Sequence, residues 1–283
     1  MLKKIANICI NIVPTKILNL KIFKKFFLNE SIFNLFFSKQ YYAVNENYEK
    51  NKNLINFNND EIHLIFASKV IINKNISEIL KKLRTPLKKK EIIKTFKEDL
   101  VKEKKNKKNG ILRQPKYISK SILAAMIGFK YKKKYFIETG TFIGQSTYNI
   151  QNMFKKIYTC EASKDLYKAA KKLFYLTKRN NIKIYLSDSK IMLKSINKKI
   201  FNDSIFFLDA HYSKGNTSKE FGVCPLIDEL KIIFSNSSKA IIVIDDIRTM
   251  NGKNGYPKLL DILNCIPNNL VVKILYDQLI INP

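Results

Sequence analysis

Apolar and polar positions divide the chain into two parts of different rhythm. From Tyr135 to the end, short continuous apolar runs alternate with amphipathic stretches of helical period. The runs are Tyr135–Ile137, Lys156–Cys160, IKIYLS, SIFFLDA, AIIVIDD, LVVKILY and QLIINP. Between them lie a long amphipathic helix from about Ser163 to Lys178, a helix opened by Asp188, one from about Pro225 to Phe234, and one near Tyr256 to Leu263. Apolar strands without polar alternation, separated by helices, predict a parallel sheet covered on both faces. The last two runs are joined by about two residues, Asp277 and Gln278, so they predict an antiparallel hairpin at one edge. The expected fold is α/β: a Rossmann-like, mostly parallel seven-stranded sheet with an antiparallel edge hairpin, preceded by a helical N-terminal region.

The polar residues at the ends of these runs carry the chemistry. In YFIETGTFIGQST, the first strand ends in Glu138. Gly140 and Gly144 then let the backbone turn tightly against a ligand, and Ser146 or Thr147 is placed to cap the following helix. The second strand ends in Glu161, some twenty residues after the glycine turn, where an acid can accept the two ribose hydroxyls of a nucleoside. Asp188 follows the third strand, Asp209 the fourth, and Asp245 and Asp246 the fifth. In an open α/β sheet all of these belong to the carboxyl edge, where ligands bind.

From about Tyr135 to Pro283 the chain resembles a class I S-adenosylmethionine-dependent methyltransferase. IETGTFIGQST is similar to the first motif of the metal-dependent O-methyltransferases, which include the catechol, caffeoyl-CoA, macrolide and aminocoumarin-sugar enzymes. The resemblance implies that Glu138, Gly140, Thr141, Gly144 and Ser146 surround the methionine part of the cofactor. Glu161 would hold its ribose, and Asp188 would sit by the adenine. It also implies a divalent cation, Mg or another, on Asp209, Asp245 and Asp246, since three gathered carboxylates repel one another unless a cation relieves them. A competing expectation is that Asp245 caps the next helix and Asp246 pairs with Arg248.

FLDAHYSKG adds His211, one of two histidines, placed to take a proton from an attacking hydroxyl. With Asp209 it is the candidate catalytic group. The loop YSKGNTSKEFGVCPLIDEL could form a substrate lid. DAHYS followed by a proline and Asp228, Glu229 and Leu230 resembles methyltransferases of bacterial glycan gene clusters, which implies a sugar or glycan hydroxyl as acceptor. The other histidine, His63, falls in a helical pattern and is expected to be partly buried.

Composition places bounds on this reading. A net charge of +29 suggests a nucleic-acid partner, but only four of the 52 basic residues are arginine (Arg84, Arg113, Arg179, Arg248). Arginine is the residue suited to bidentate phosphate and base contacts, and a Lys-, Ile- and Asn-rich bias is what an AT-rich genome produces, so nucleic acid is disfavoured. Residues 1–134 carry 31 basic and 10 acidic side chains, a net +21, whereas residues 135–283 carry 21 and 13, a net +8. The expected divisions are a helical basic region over 1–110, ending in a solvated linker Lys102 to Gly110, then a linker and lead-in helix over 111–134, and the catalytic domain over 135–283. Apolar residues mixed with lysine in the first region lie on an anionic membrane surface, or pack on their own domain or on a sister subunit. Peripheral membrane contact and a homo-oligomer therefore both stay open. No apolar run reaches the roughly 20 residues needed to cross a bilayer. The basic, apolar start MLKKIANICINIVP is read as retained, because Asn7, Asn11 and Pro14 interrupt it. Cys9, Cys160, Cys224 and Cys265 show no paired or metal-type spacing, which suits a reducing cytoplasm, with Cys160 in the core.

Two rival activities share parts of this pattern. A nicotinamide-dependent oxidoreductase has a glycine turn and a downstream acid, but here the middle glycine of G-x-G-x-x-G is missing and an acid precedes the turn. An RNA methyltransferase of the cytosine-5 type carries Pro-Cys just after the fourth-strand acid, where this chain has His211 and Tyr212, and Cys224-Pro225 is reversed and displaced.

Overall fold

The computed structural model describes Lys82 and residues 89–108, 117–176, 180–210, 224–275 and 277–283. The strands are β1 (Tyr135–Thr139), β2 (Lys156–Glu161), β3 (Ile182–Leu186), β4 (Ser204–Leu208), β5 (Ile241–Ile244), β6 (Val271–Leu275) and β7 (Gln278–Asn282). The helices are α1 (Lys89–Lys108), α2 (Tyr117–Lys130), α3 (Gln145–Ile150), α4 (Lys164–Leu176), α5 (Ser189–Ser195), α6 (Leu226–Phe234) and α7 (Leu259–Asn264). One seven-stranded sheet runs in the order β3-β2-β1-β4-β5-β7-β6. The first five strands are parallel, and β7 is antiparallel to both β5 and β6, as the apolar runs predict. The hairpin turn sits one residue earlier than expected, because Gln278 already pairs with Leu275.

Why these runs form a double-sided sheet is visible in β4 and β5. Successive side chains of a strand point to opposite faces. Ile205 and Phe207, with Ile241 and Val243, join one apolar layer; Phe206 and Leu208, with Ile242 and Ile244, join the other. The first layer is closed by α2, which buries Ile118, Ile122, Leu123 and Ile127 completely, and by Ile92 of α1. On the second face lie Met192 and Leu193 of α5, Leu226, Leu230 and Ile233 of α6, and Ile262 of α7. Each such fully buried side chain contributes on the order of 1.5–3 kcal/mol. Cys160 is buried in this second layer, as expected.

One boundary differs from the sequence reading. Lys102 to Lys108 is the end of α1 rather than a linker, since lysine and glutamate are good helix formers and only Gly110 beyond them breaks the pattern. The lead-in helix is also more than a lead-in: α2 forms part of the core, and Ser119 Oγ donates to the buried Asp99 of α1 at 2.8 Å. The basic segment before Lys89, with His63 and Cys9, lies outside the described residues apart from Lys82. Among the described residues no helix is long and apolar enough to cross a membrane.

Candidate active site at the carboxyl edge of the sheet

The turn after β1 is built around two glycines in the left-handed region, Gly140 at φ 81° and Gly144 at φ 80°. A Cβ on Gly140 would lie 2.5 Å from the Asp209 carbonyl oxygen, and one on Gly144 would lie 2.7 Å from the Phe174 ring. Backbone and ring leave no room there, so the close approach of β1, β4 and α4 depends on glycine. Gly140 and Thr141 amides both donate to the Cys160 carbonyl, which ties the turn to β2. Neither Ser146 nor Thr147 caps the following helix. Its N-cap is Gly144, whose own conformation starts α3, and Thr147 lies inside the helix and donates from Oγ1 to Glu138 Oε2 at 2.8 Å.

Glu138 is sealed beneath this turn, 2% exposed, and takes a second donor from Thr159 Oγ1 at 2.7 Å. Thr159 is in turn in contact with Thr141 Oγ1. Burial pushes the Glu138 carboxyl up to about 7, against the two threonine donors. A carboxyl raised above its unfolded value contributes stability at low pH that is lost as pH rises from about 4.5 to about 7. Glu138→Gln removes that loss. Relative to wild type, the variant should gain on the order of 2 kcal/mol between pH 4.5 and pH 8, read from urea unfolding midpoints. An unchanged difference at the two pH values would show that Glu138 stays ionised in the fold.

Glu161 stands at the end of β2 as expected. Its Oε2 accepts from Phe142 N at 2.8 Å and its Oε1 from Ser163 N at 2.9 Å. Phe142 itself has φ 51°, so the carboxylate helps hold the turn in a left-handed step that a bulky residue avoids. Burial raises the Glu161 pKa, and the backbone donors oppose the rise. Three backbone amides, those of Phe142, Ser163 and Ala162, donate to a carboxylate that has about four acceptor positions, so the group is oriented without being saturated. Beside it, Ser187 N donates to the Glu161 carbonyl, and Asp188 caps α5 by accepting from Lys190 N at 2.8 Å. The structure thus brings Glu138, Gly140, Thr141, Glu161 and Asp188 together on three adjacent strand ends. Glu229 of α6 is buried near Asp188, and burial pushes its carboxyl up to about 7.

Asp209 follows β4, its amide bonded to the Thr139 carbonyl at 3.0 Å. His211 and the rest of the expected lid, residues 211–223, lie outside the described residues. After β5, Asp245 and Asp246 belong to a charged network. Lys120 of α2 places its Nζ 2.7 Å from Asp245 Oδ1, 2.8 Å from Asp245 Oδ2 and 2.8 Å from Asp246 Oδ1. Arg248 Nη1 reaches Asp246 Oδ1 at 2.7 Å and also bonds Asp277 Oδ2. Asp245 Oδ1 further accepts from Asp246 N at 2.9 Å and Gln278 Nε2 at 3.2 Å. The expected pairing of Asp246 with Arg248 is present. Asp245 caps no helix; the short helical turn that follows starts at Asp246, φ 53°, with no side-chain cap.

This donor set does not fit a resident dication. Both oxygens of Asp245 and one of Asp246 are occupied by cations and amides of the chain itself, and no group of three or more metal-type side chains stands together among the described residues. The repulsion that would call for a metal is relieved by Lys120 and Arg248. Burial alone would lower the Lys120 pKa, but the Asp245 and Asp246 carboxylates outweigh it and hold the ammonium charged.

Sequence reasoning missed Lys120, Asp277 and Gln278 as members of this cluster. Lys120 was hidden among 48 lysines; its only signal is its position on the buried face of an otherwise apolar helical stretch, ISKSILAAMIGF. Burial raises the phenol pKa of half-buried Tyr256, with Cys224, Asp246 and Asp209 adding to the effect.

A mostly parallel seven-stranded sheet in this order, with a glycine turn after β1 and acids at the next strand ends, is a Rossmann-like α/β fold. No protein-family model and no curated protein matches the sequence. Solved structures that resemble the chain include O-methyltransferases and other methyltransferases. An O-methyltransferase from Bacillus cereus, in complex with S-adenosylhomocysteine (SAH), is 12% identical, with 74% of this chain and 96% of that one covered and a TM-score of 0.45. The Streptomyces achromogenes O-methyltransferase of tomaymycin synthesis, in complex with S-adenosylmethionine (SAM), is 9% identical, covering 74% and 95%, with a TM-score of 0.44. An SAH-bound methyltransferase from Podospora anserina is 12% identical, covering 76% and 95%, with a TM-score of 0.43.

Proposed function

We propose that the protein is an S-adenosylmethionine-dependent O-methyltransferase whose acceptor is a hydroxyl of a sugar or glycan. The observation that carries this reading is the ordered set of groups on β1, β2 and β3: a left-handed glycine turn, then Glu161 pinned by Phe142 N and Ser163 N, then Asp188 on the neighbouring strand end. When bound, S-adenosylmethionine supplies an electrophilic methyl group on a sulfonium. Glu161 would accept from the ribose hydroxyls through the acceptor capacity its backbone donors leave. Asp188 would hold the adenine side, and Gly140, Thr141 and Gly144 would border the methionine side. Glu138, beneath the turn, fixes its shape through Thr147 and Thr159.

On the acceptor side, Asp209 orients the hydroxyl, and His211, two residues further along, accepts the proton that it gives up. Holding acceptor and donor in line supplies most of the rate, since alignment replaces a bimolecular encounter. No step passes through a metal. The sugar acceptor rests on the run from Asp209 through His211 to Pro225 and Glu229.

Incubation with methyl-labelled S-adenosylmethionine and a panel of free sugars, glycans, catechols and RNA tests the assignment. Label should enter the carbohydrate fraction as a base-stable methyl ether, with or without added metal. Label in RNA or in the catechol alone would contradict the acceptor class.

A further inference from the structure

We propose that Lys120 is the resident cation of this edge: its ammonium occupies the place between Asp245 and Asp246 that a dication would need, so the folded protein binds no divalent metal there. A hard cation binds carboxylate oxygens at about 2.0–2.6 Å and draws several of them around one centre. Here the centre is taken. Nζ lies 2.7–2.8 Å from three carboxylate oxygens on two consecutive residues, which is the spacing of charge-assisted hydrogen bonds. Further donors reach the pair: Arg248 Nη1 on Asp246 Oδ1, and Asp246 N and Gln278 Nε2 on Asp245 Oδ1.

Lys120 has nowhere else to go. It is 7% exposed, on a helix whose residues from Ile118 to Gly128 are all buried, and its helix neighbours Ile118, Ile122, Leu123 and Ala124 form the apolar layer over the sheet. Entry of a metal would leave the ammonium buried without a partner, which is strongly unfavourable. The charge is therefore supplied by α2 in place of an exchangeable ion. Lys120 fixes Asp245 and Asp246 at the end of β5, with Asp246 at φ 53°. The exclusion of metal does not rest on the methyltransferase reading.

Titration of Mn with the full-length protein, followed by the electron paramagnetic resonance signal of the free ion, tests the proposal. Wild type should remove no more free Mn than Asp245→Asn up to about 1 mM. Lys120→Met uncovers two carboxylates and should gain one site, at least about tenfold tighter than any binding by wild type. Lys120→Gln serves the same purpose if the methionine variant does not fold, and circular dichroism establishes folding in each case. One Mn per wild-type chain, lost in Asp245→Asn, would overturn the proposal, as would folded Lys120 variants that bind no more Mn than wild type. Should neither variant fold, the wild-type titration decides alone, silence supporting the proposal and a site removed by Asp245→Asn refuting it. Calorimetry with S-adenosylmethionine on the same samples reports separately on the methyltransferase reading.

Discussion

His211→Ala should lower the rate of methyl transfer by about 100- to 10,000-fold while leaving S-adenosylmethionine affinity unchanged, because loss of a general acid or base typically costs that much. The expectation rests on chain position. β4 ends at Leu208, Asp209 sits against the glycine turn with its carbonyl where a Gly140 side chain would be, and His211 comes two residues later. An imidazole is the side chain suited to accept a proton near neutral pH. A His211→Ala enzyme at near wild-type rate would remove the base and leave cofactor binding intact.

Glu161→Ala should weaken S-adenosylmethionine binding by roughly 1.5–3 kcal/mol, the loss expected when a charged acceptor of hydrogen bonds is removed. That corresponds to about 10- to 150-fold in dissociation constant. Glu161 also stabilises the turn through Phe142 N, so Glu161→Gln is the informative companion. The amide oxygen can keep one backbone acceptor role, yet its NH2 cannot accept the second ribose hydroxyl. Its affinity should fall between those of wild type and Glu161→Ala. Equal affinity in all three proteins would take the ribose away from Glu161.

Much of this arrangement is legible in the sequence, and the reasons are local. Strand segments such as IFFL and IIVI are apolar at every position because both faces are covered, and the acids that follow them are confined to the carboxyl edge by the parallel direction of the strands. The close hairpin of β6 and β7 follows from a loop too short for a crossover. What the local pattern could not show was contact across the fold. Lys120 precedes its partners Asp245 and Asp246 by 125 and 126 positions, and a lysine on a helix ordinarily reads as solvated. The three acids suggested a metal because the countercharge came from a distant element. A different limit governs Thr147: serine and threonine near a helix start suggest a cap, yet a left-handed Gly144 starts α3 without one, and Thr147 is spent on Glu138. Lys102 to Lys108 is a third case, in which charge density suggested a linker and helix propensity prevailed.

The central claim is that the glycine turn, Glu161 and Asp188 form a site for S-adenosylmethionine. Isothermal calorimetry of the full-length protein with S-adenosylmethionine, and separately with NAD, tests it most directly. Saturable heat with one S-adenosylmethionine per chain, and none with NAD, is the predicted result. Heat with NAD and silence with S-adenosylmethionine would contradict the account.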